Sequence, residues 1–185
     1  MSYSDYNDAT KDENNSVIAN LVKDAIGNVV LLDGPEMRTT EAIKKVNPDL
    51  PIDIVEGDFG TAVKQMLTVQ EKNISETSVT DGNIFDFLGE LVTERTSLLY
   101  LDTMAQFLTD EQSSVTIDSF ERMAAGSFLA LTFCRRQRRG GTATMRIGSL
   151  KARLTRRRVT FRETHVKKYN RVGGQAMIMA ILQRV

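Results

Sequence analysis

The chain has 185 residues, a length that suits one domain with a substantial core and is too short for two of ordinary size. Its formal charge is zero, but residues 1–120 carry 22 acidic and 8 basic side chains, whereas residues 121–185 carry 2 and 16. Apolar stretches fall short of the roughly 20 residues that span a membrane, the polar N-terminus is unlike a signal peptide, and a single cysteine excludes an intramolecular disulfide. We therefore expect a soluble, intracellular protein, cytoplasmic in location.

The predicted elements begin after a tail. Residues 1–14 mix small, polar and acidic side chains without apolar periodicity, so we expect a disordered acidic tail there and a single folded domain over residues 15–185. From residue 16 onward, segments with helical spacing of apolar residues alternate with short runs rich in β-branched residues. In chain order, the sequence predicts helices at 16–26, 39–46, 60–70, 84–92, 117–125 and 145–154, and strands at 28–33, 52–56, 77–80, 97–102 and 128–134.

The C-terminal segment departs from this alternation. Strands are predicted at 159–166 and 176–182, and the link between them is too short for a crossover helix, so they should pair as an antiparallel hairpin. The earlier strands are joined by helices, which favours right-handed crossovers and a parallel sheet. The predicted fold is α/β: a mainly parallel seven-stranded sheet with helices on both faces and a C-terminal antiparallel hairpin.

Three of the predicted strands end on a carboxylate, namely Asp33, Glu56 and Asp102. Because the carboxyl ends of parallel strands meet at one edge of a sheet, these acids should share a rim, the arrangement that α/β folds use to hold a nucleoside. The ordinary alternative is that each acid caps the following helix or faces water.

A sheet of five strands in βα alternation, closed by an antiparallel hairpin, resembles the class I methyltransferases, which use S-adenosylmethionine. The resemblance covers about residues 16–185 and rests on element order more than on motifs. It implies that Asp33 and Gly34, which close the segment VVLLDG, lie where the backbone approaches the amino-acid end of the cofactor. It also implies that Glu56 accepts both ribose hydroxyls, a role that suits an ionised carboxylate.

The resemblance implies two further contacts. Asp81 or Asn83, in the loop after the third strand, would contact the adenine amino group. Asp102, at the tip of the fourth strand, would lie beside the transferable methyl and is the catalytic candidate, able to orient an acceptor amine or hydroxyl or to take its proton. Tyr100 is set aside for this role because side chains alternate along a strand.

The first turn departs from the family's pattern. The family's turn has the form GxGxG, whereas the segment from Asp33 to Arg38, DGPEMR, holds one glycine. Two other classes of function stay open: a non-catalytic nucleic-acid-binding module on a degenerate methyltransferase fold, and an NAD-dependent oxidoreductase, which would normally show GxGxxG. One histidine and no paired cysteines argue against a metal site.

Basic residues concentrate in the last third of the chain. The loop after the fifth strand carries Arg135, Arg136, Arg138 and Arg139, and a second cluster spans residues 153–162. Arginine forks match phosphate geometry, so we predict RNA or DNA as the partner. The alternative is that the basic C-terminal part neutralises the acidic N-terminal part across the folded molecule.

Overall fold

A computed structural model describes residues 9–103, 108–134, 142–170 and 176–185 of the chain. Its helices are α1 (Ala9–Leu21), α2 (Arg38–Val46), α3 (Phe59–Glu71), α4 (Ile84–Leu91), α5 (Asp110–Arg122) and α6 (Ala143–Arg156). Its strands are β1 (Val29–Leu31), β2 (Ile52–Glu56), β3 (Thr77–Asp81), β4 (Leu98–Asp102), β5 (Phe128–Cys134), β6 (Phe161–Asn170) and β7 (Ala176–Arg184). Within these segments, no helix combines the length and the apolar character needed to cross a bilayer.

The seven strands form one sheet in the order β3-β2-β1-β4-β5-β7-β6. Strands β1 to β5 pair in parallel, whereas β7 pairs antiparallel with both β5 and β6. The chain builds outward from β1 to β3 and then resumes at β4 on the other side of β1. Such a reversal of strand order opens a crevice at the carboxyl ends of the strands, where open α/β sheets bind ligands. The predicted fold class is confirmed, including the terminal hairpin.

Both faces of the sheet are covered. One apolar layer packs against α4, α5 and α6 and contains Leu99, Leu101 and Phe120. The other layer packs against α1 and α2 and contains Leu31 and Ile54. All five side chains are fully buried, and each contributes about 1.5–3 kcal/mol through removal of its surface from water. Side chains alternate between the two layers along each strand, so the position of a residue in its strand determines whether its side chain faces α1 and α2 or the opposite layer.

The first helix begins earlier than the sequence predicted. Residues 9–14, assigned to the disordered tail, are helical, and Asn14 and Asn15 are buried. The Oδ1 atom of Asn15 accepts a hydrogen bond of 3.1 Å from the hydroxyl of Thr39, and Asp12 pairs with Arg38 at 3.3 Å. These contacts with α2 order a segment whose own composition would not. Residues 1–8 of the predicted tail lie outside the described residues, and the single domain from residue 15 to residue 185 stays a prediction.

The buried face of α3 also differs from the expected one. The helical pattern predicts a helix whose apolar residues are Ala62, Val63, Met66 and Leu67. Ala62 is fully buried, but the other three side chains are 36, 37 and 51% exposed. The second fully buried side chain of α3 is that of Gln65, which forms hydrogen bonds with the turn after β1.

Candidate functional site

The strand-end acids lie at one level of the sheet. Glu56 is directly opposite Asp81 in the β2–β3 pair. Leu31 is opposite both Ile54 and Tyr100, so Asp33, two residues further along the chain, reaches the level of Glu56 and of Asp102. This row crosses the point where the strand order reverses, between β1 and β4. The structure therefore brings the predicted acids together at the carboxyl edge.

The Asp33 carboxylate forms hydrogen bonds with the start of α2, the helix that follows it. Its Oδ2 atom accepts hydrogen bonds of 2.8 Å from both the backbone N–H and the hydroxyl of Thr40, and its Oδ1 atom accepts from the backbone of Gly34 at 2.9 Å and of Thr39 at 3.4 Å. Burial raises the pKa of Asp33, while the hydrogen bonds from Thr40 and the charge of Lys11 oppose that rise. The Asp33 carboxylate thus caps α2 by accepting hydrogen bonds from N–H groups of its first turn. Helix capping is the ordinary alternative to ligand binding for a strand-end acid.

The turn after β1 is held by residues that the sequence reasoning missed. Met37, not Gly34, adopts the left-handed conformation, with φ of 53°, and its side chain is fully buried. The Nε2 atom of Gln65 donates to the backbone oxygens of Asp33 at 3.0 Å and of Gly34 at 3.2 Å. No sequence pattern marks Met37, and the only signal for Gln65 is its spacing of three residues from the buried Ala62.

Glu56 ends β2 with a half-buried carboxylate. Its Oε1 atom accepts a hydrogen bond of 2.8 Å from the backbone N–H of Asp58. Burial raises the pKa of Glu56, and the neighbouring charges of Asp58 and Asp33 raise it further, against the lowering effect of the hydrogen bonds from the Asp58 and Gly57 backbone. The charge of Asp33 reaches Glu56, which agrees with their common level in the sheet.

The loop after β3 lies beside Glu56. The backbone N–H of Gly82 donates to the backbone oxygen of Glu56 at 2.9 Å, and Gly82 has a φ of 150°, a conformation that L side chains rarely adopt. Asp81 and Asn83 are both exposed. The side-chain oxygen of Asn83 caps α4 by accepting from the backbone of Phe85 at 3.3 Å, so this residue has a structural role already.

Asp102 is half-buried at the tip of β4, opposite Thr132 of β5. The argument that alternation separates Tyr100 from Asp102 is wrong, because residues two apart on a strand share a face. The Tyr100 side chain is 2% exposed, and its hydroxyl lies 3.3 Å from the hydroxyl of Thr132. Burial raises the pKa of Tyr100 well above its ordinary value, and the charge of Asp102 adds to the rise. Tyr100 therefore stays protonated and cannot serve as a base.

Only the second of the two basic clusters is described by the structure. The four arginines of residues 135–139 lie outside the described residues and follow the last residue of β5 in the sequence. Arg162 is opposite Gln183, which is in turn opposite Phe128, the first residue of β5. Arg162 therefore lies at the amino edge of the sheet, across the molecule from the acids.

Part of the charge asymmetry is neutralised inside the molecule. Arg157 forms ion pairs with Asp118 and Glu121, and Lys167 pairs with Glu13 at 2.6 Å. The pairs with Asp118 and Glu13 join the basic C-terminal part to the acidic residues 1–120, as one of the two interpretations of the charge pattern anticipated.

A groove in the described part of the molecule lies away from the acids. It measures about 790 Å³ and lies at the amino edge, between the segment that follows α1 and residues 124–128. No strand-end acid lines it. Side-chain chemistry and the reversal of strand order, rather than concavity, identify the carboxyl edge as the candidate site.

Strand order, terminal hairpin and the row of strand-end acids together define a Rossmann-like fold of the class I methyltransferase type. Comparisons with models of known protein families and with curated protein sequences give no match. Solved structures do resemble the fold of this protein. The (4+2)-cyclase SpnF superposes with a TM-score of 0.69 at 10% identity, covering 94% of this chain and 81% of that one.

Two methyltransferase structures are similarly close. The O-methyltransferase TomG from Streptomyces achromogenes, solved with S-adenosylmethionine, gives a TM-score of 0.66 at 11% identity over 94% of this chain and 80% of its own. Precorrin-6y C5,15-methyltransferase from Geobacter metallireducens gives 0.64 at 8% identity over 100% and 94%. At such low identity the likeness concerns the fold, and a cyclase among the neighbours shows that this fold does not dictate one reaction.

Proposed function

We propose that this protein binds S-adenosylmethionine at the carboxyl edge of its sheet and transfers the methyl group to a nucleic acid. The observation that carries the proposal is the row of acids across the reversal of strand order, with Glu56 beside the turn after β1. Fold neighbours that are methyltransferases, one of them solved with S-adenosylmethionine, support the same choice of cofactor.

The residues present at this edge fit the nucleoside part of that cofactor. The half-buried carboxylate of Glu56 offers acceptor lone pairs to a pair of ribose hydroxyls. Asp81 and Asn83 are exposed at the neighbouring loop and offer oxygen atoms to an adenine amino group. Asp33 contributes indirectly, because its hydrogen bonds fix the turn that contains Gly34.

The sulfonium of the cofactor supplies an activated methyl group, so the protein has to position the acceptor in line and receive any proton that is lost. Asp102 is the residue assigned to this task because it lies at the same level as Asp33 and Glu56. Tyr100 shares the face, but its buried, protonated hydroxyl serves to anchor Thr132.

The choice of a nucleic acid rests on the arginine run at residues 135–139. In the sequence it directly follows β5, and β5 ends at the edge of the sheet that holds the acids. Guanidinium groups bind phosphate in a two-point geometry. Contacts of this kind position a polymer without reading its sequence, and they should weaken steeply as salt concentration rises.

A second function is favoured by one observation. Met37 stands in the left-handed position of a glycine-poor first turn, as expected if the fold had lost its cofactor and kept a nucleic-acid-binding role. Isothermal titration with S-adenosylhomocysteine and with NAD distinguishes the candidates. Heat with the former alone supports the methyltransferase, heat with NAD alone supports an oxidoreductase, and heat with neither supports the non-catalytic module.

The methyl-transfer step has its own test. Radiolabelled methyl transfer to total RNA, to DNA and to a small-molecule extract is measured for the native protein, for Asp102→Ala and for Asp24→Ala. The Asp24 side chain is 86% exposed at the far edge, which makes it a matched control. We expect label in a nucleic acid, a loss of at least about 100-fold for Asp102→Ala, and no change for the control. Full turnover by Asp102→Ala would remove this residue from the mechanism.

A further inference from the structure

Two opposite charges flank the turn after β1. The Lys11 ammonium, from the first turn of α1, lies 3.7 Å from the point where a Cβ on Gly34 would stand, and the Glu36 carboxylate lies 3.8 Å from the same point. The charge of Lys11 is also close enough to act on buried Asp33, whose pKa it lowers against the dominant effect of burial. A cation and an anion thus border the surface above Gly34.

The backbone of this turn has few amides left for an anion. The N–H groups of Gly34, Thr39 and Thr40 donate to the Asp33 carboxylate, and that of Met37 donates to the backbone oxygen of Gly34 at 2.9 Å. Pro35 has no N–H at all. Asp33 therefore uses the donors with which the start of α2 could otherwise bind an anion. A carboxylate arriving at this turn needs a side-chain cation.

Helix α1 holds Lys11 at this place. Asp12 pairs with Arg38 at 3.3 Å, and Asn15 accepts from Thr39 at 3.1 Å, so the start of α1 is fastened to the start of α2. On its other side, α1 is joined to β6 by the ion pair between Glu13 and Lys167 at 2.6 Å. The helix thus forms a wall of the carboxyl edge, and Lys11 projects from that wall toward the turn.

We propose that Lys11 and Glu36 form a subsite for an α-amino-acid group, in which the Lys11 ammonium binds the α-carboxylate and the Glu36 carboxylate binds the α-ammonium. This inference rests on the proposed function, because the ligand is the amino-acid end of S-adenosylmethionine. Two charged side chains would bind the ligand here, where most backbone amides of the turn already donate to Asp33 or Gly34. The subsite also explains how a turn with one glycine and a proline remains compatible with that cofactor.

Two ligands distinguish binding at this subsite from binding at the rest of the site. S-adenosylhomocysteine carries the amino-acid end, whereas 5′-methylthioadenosine has the same nucleoside and a thioether without it. Both are titrated calorimetrically into the full-length native protein and into the variants Lys11→Met, Glu36→Gln and Lys23→Met. Lys23 is exposed and lies after the end of α1, so its variant makes the same change of charge away from the turn.

We expect Lys11→Met and Glu36→Gln each to weaken S-adenosylhomocysteine about 10- to 100-fold, the usual effect of losing a hydrogen bond between charged groups. Affinity for 5′-methylthioadenosine should change less than about 2-fold, which also reports that the variants are folded. Lys23→Met should match the native protein with both ligands.

Three outcomes overturn a stated claim. Unchanged S-adenosylhomocysteine binding in both variants refutes the subsite and leaves the proposed function standing. Equal weakening of both ligands shows that Lys11 and Glu36 support the site as a whole and refutes their role toward the amino-acid end. Absence of binding of either ligand to the native protein refutes the proposed function itself.

Discussion

Replacing Gly82 with alanine should destabilise the protein strongly, through two separable effects. Gly82 has a φ of 150°, and forcing a side chain into such a backbone conformation costs about 1–3 kcal/mol. An added Cβ would also lie 2.6 Å from Cε2 and 3.2 Å from Cζ of the Phe87 ring, and relief of that overlap costs a further 1–3 kcal/mol or so. Alanine has a smaller conformational entropy than glycine in the unfolded chain, which offsets about 0.4–1 kcal/mol of this loss. The net loss is therefore about 1–5.6 kcal/mol.

Two other glycines provide matched controls. Gly126 has a φ of 93° but nothing within 4 Å of the position of an added Cβ, so Gly126→Ala should show the backbone cost alone, about 0–2.6 kcal/mol after the entropy gain. Gly89 lies inside α4 with equally open surroundings. There alanine should stabilise the protein by about 0.5–1 kcal/mol, because glycine is a poor helix former.

Urea unfolding followed by circular dichroism gives the free energy of unfolding for all three variants, with equal slopes as the check that the same surface is exposed. The excess loss of Gly82→Ala over Gly126→Ala measures the overlap with Phe87, and it should shrink when Phe87→Leu is combined with Gly82→Ala. If Gly82→Ala were no less stable than Gly126→Ala, the assigned clash would be wrong. If Gly89→Ala also destabilised, the helical environment of α4 would be wrong.

Three further predictions concern the site. Glu56→Gln should weaken S-adenosylhomocysteine binding about 10- to 100-fold in calorimetry. Native affinity should fall as pH drops through the pKa of Glu56, which burial raises, whereas the variant should lack this dependence. Thr40→Val removes a donor to ionised Asp33. Because burial raises the folded-state pKa of Asp33, native stability declines as pH rises from the unfolded pKa through the folded one. The loss from Thr40→Val, measured by urea unfolding, should grow over that window to about 1.5–3 kcal/mol, and a pH-independent loss would contradict the assigned hydrogen bond. Glutamine at all four arginines of residues 135–139 should flatten the salt dependence of single-stranded RNA binding by about 3 units of log–log slope in filter-binding assays, while the same change at Arg156, Arg158 and Arg162, at the opposite edge, should leave that slope unchanged.

Much of the fold could be predicted because the signals are local. Runs of β-branched residues and helical spacing of apolar residues depend on near neighbours in the chain, and from α2 to β5 they placed every element, most within two residues, with α5 beginning well before the predicted 117. Parallel strands necessarily bring their carboxyl ends to one edge. The shared edge of Asp33, Glu56 and Asp102 therefore follows from element order, whereas their common level depends on the strand register.

The state of each side chain at that edge was decided by tertiary contacts. Asp33 caps α2 because Thr40 lies within reach, and Gln65, 32 residues away, secures the same turn. The start of α1 is ordered by its contacts with α2. Strand β6 runs in the same direction as β5, so Arg162 near its start lies at the far edge. Hydrogen bonding and burial depend on which distant residues the fold brings into contact, and a local pattern in the chain holds no record of those neighbours.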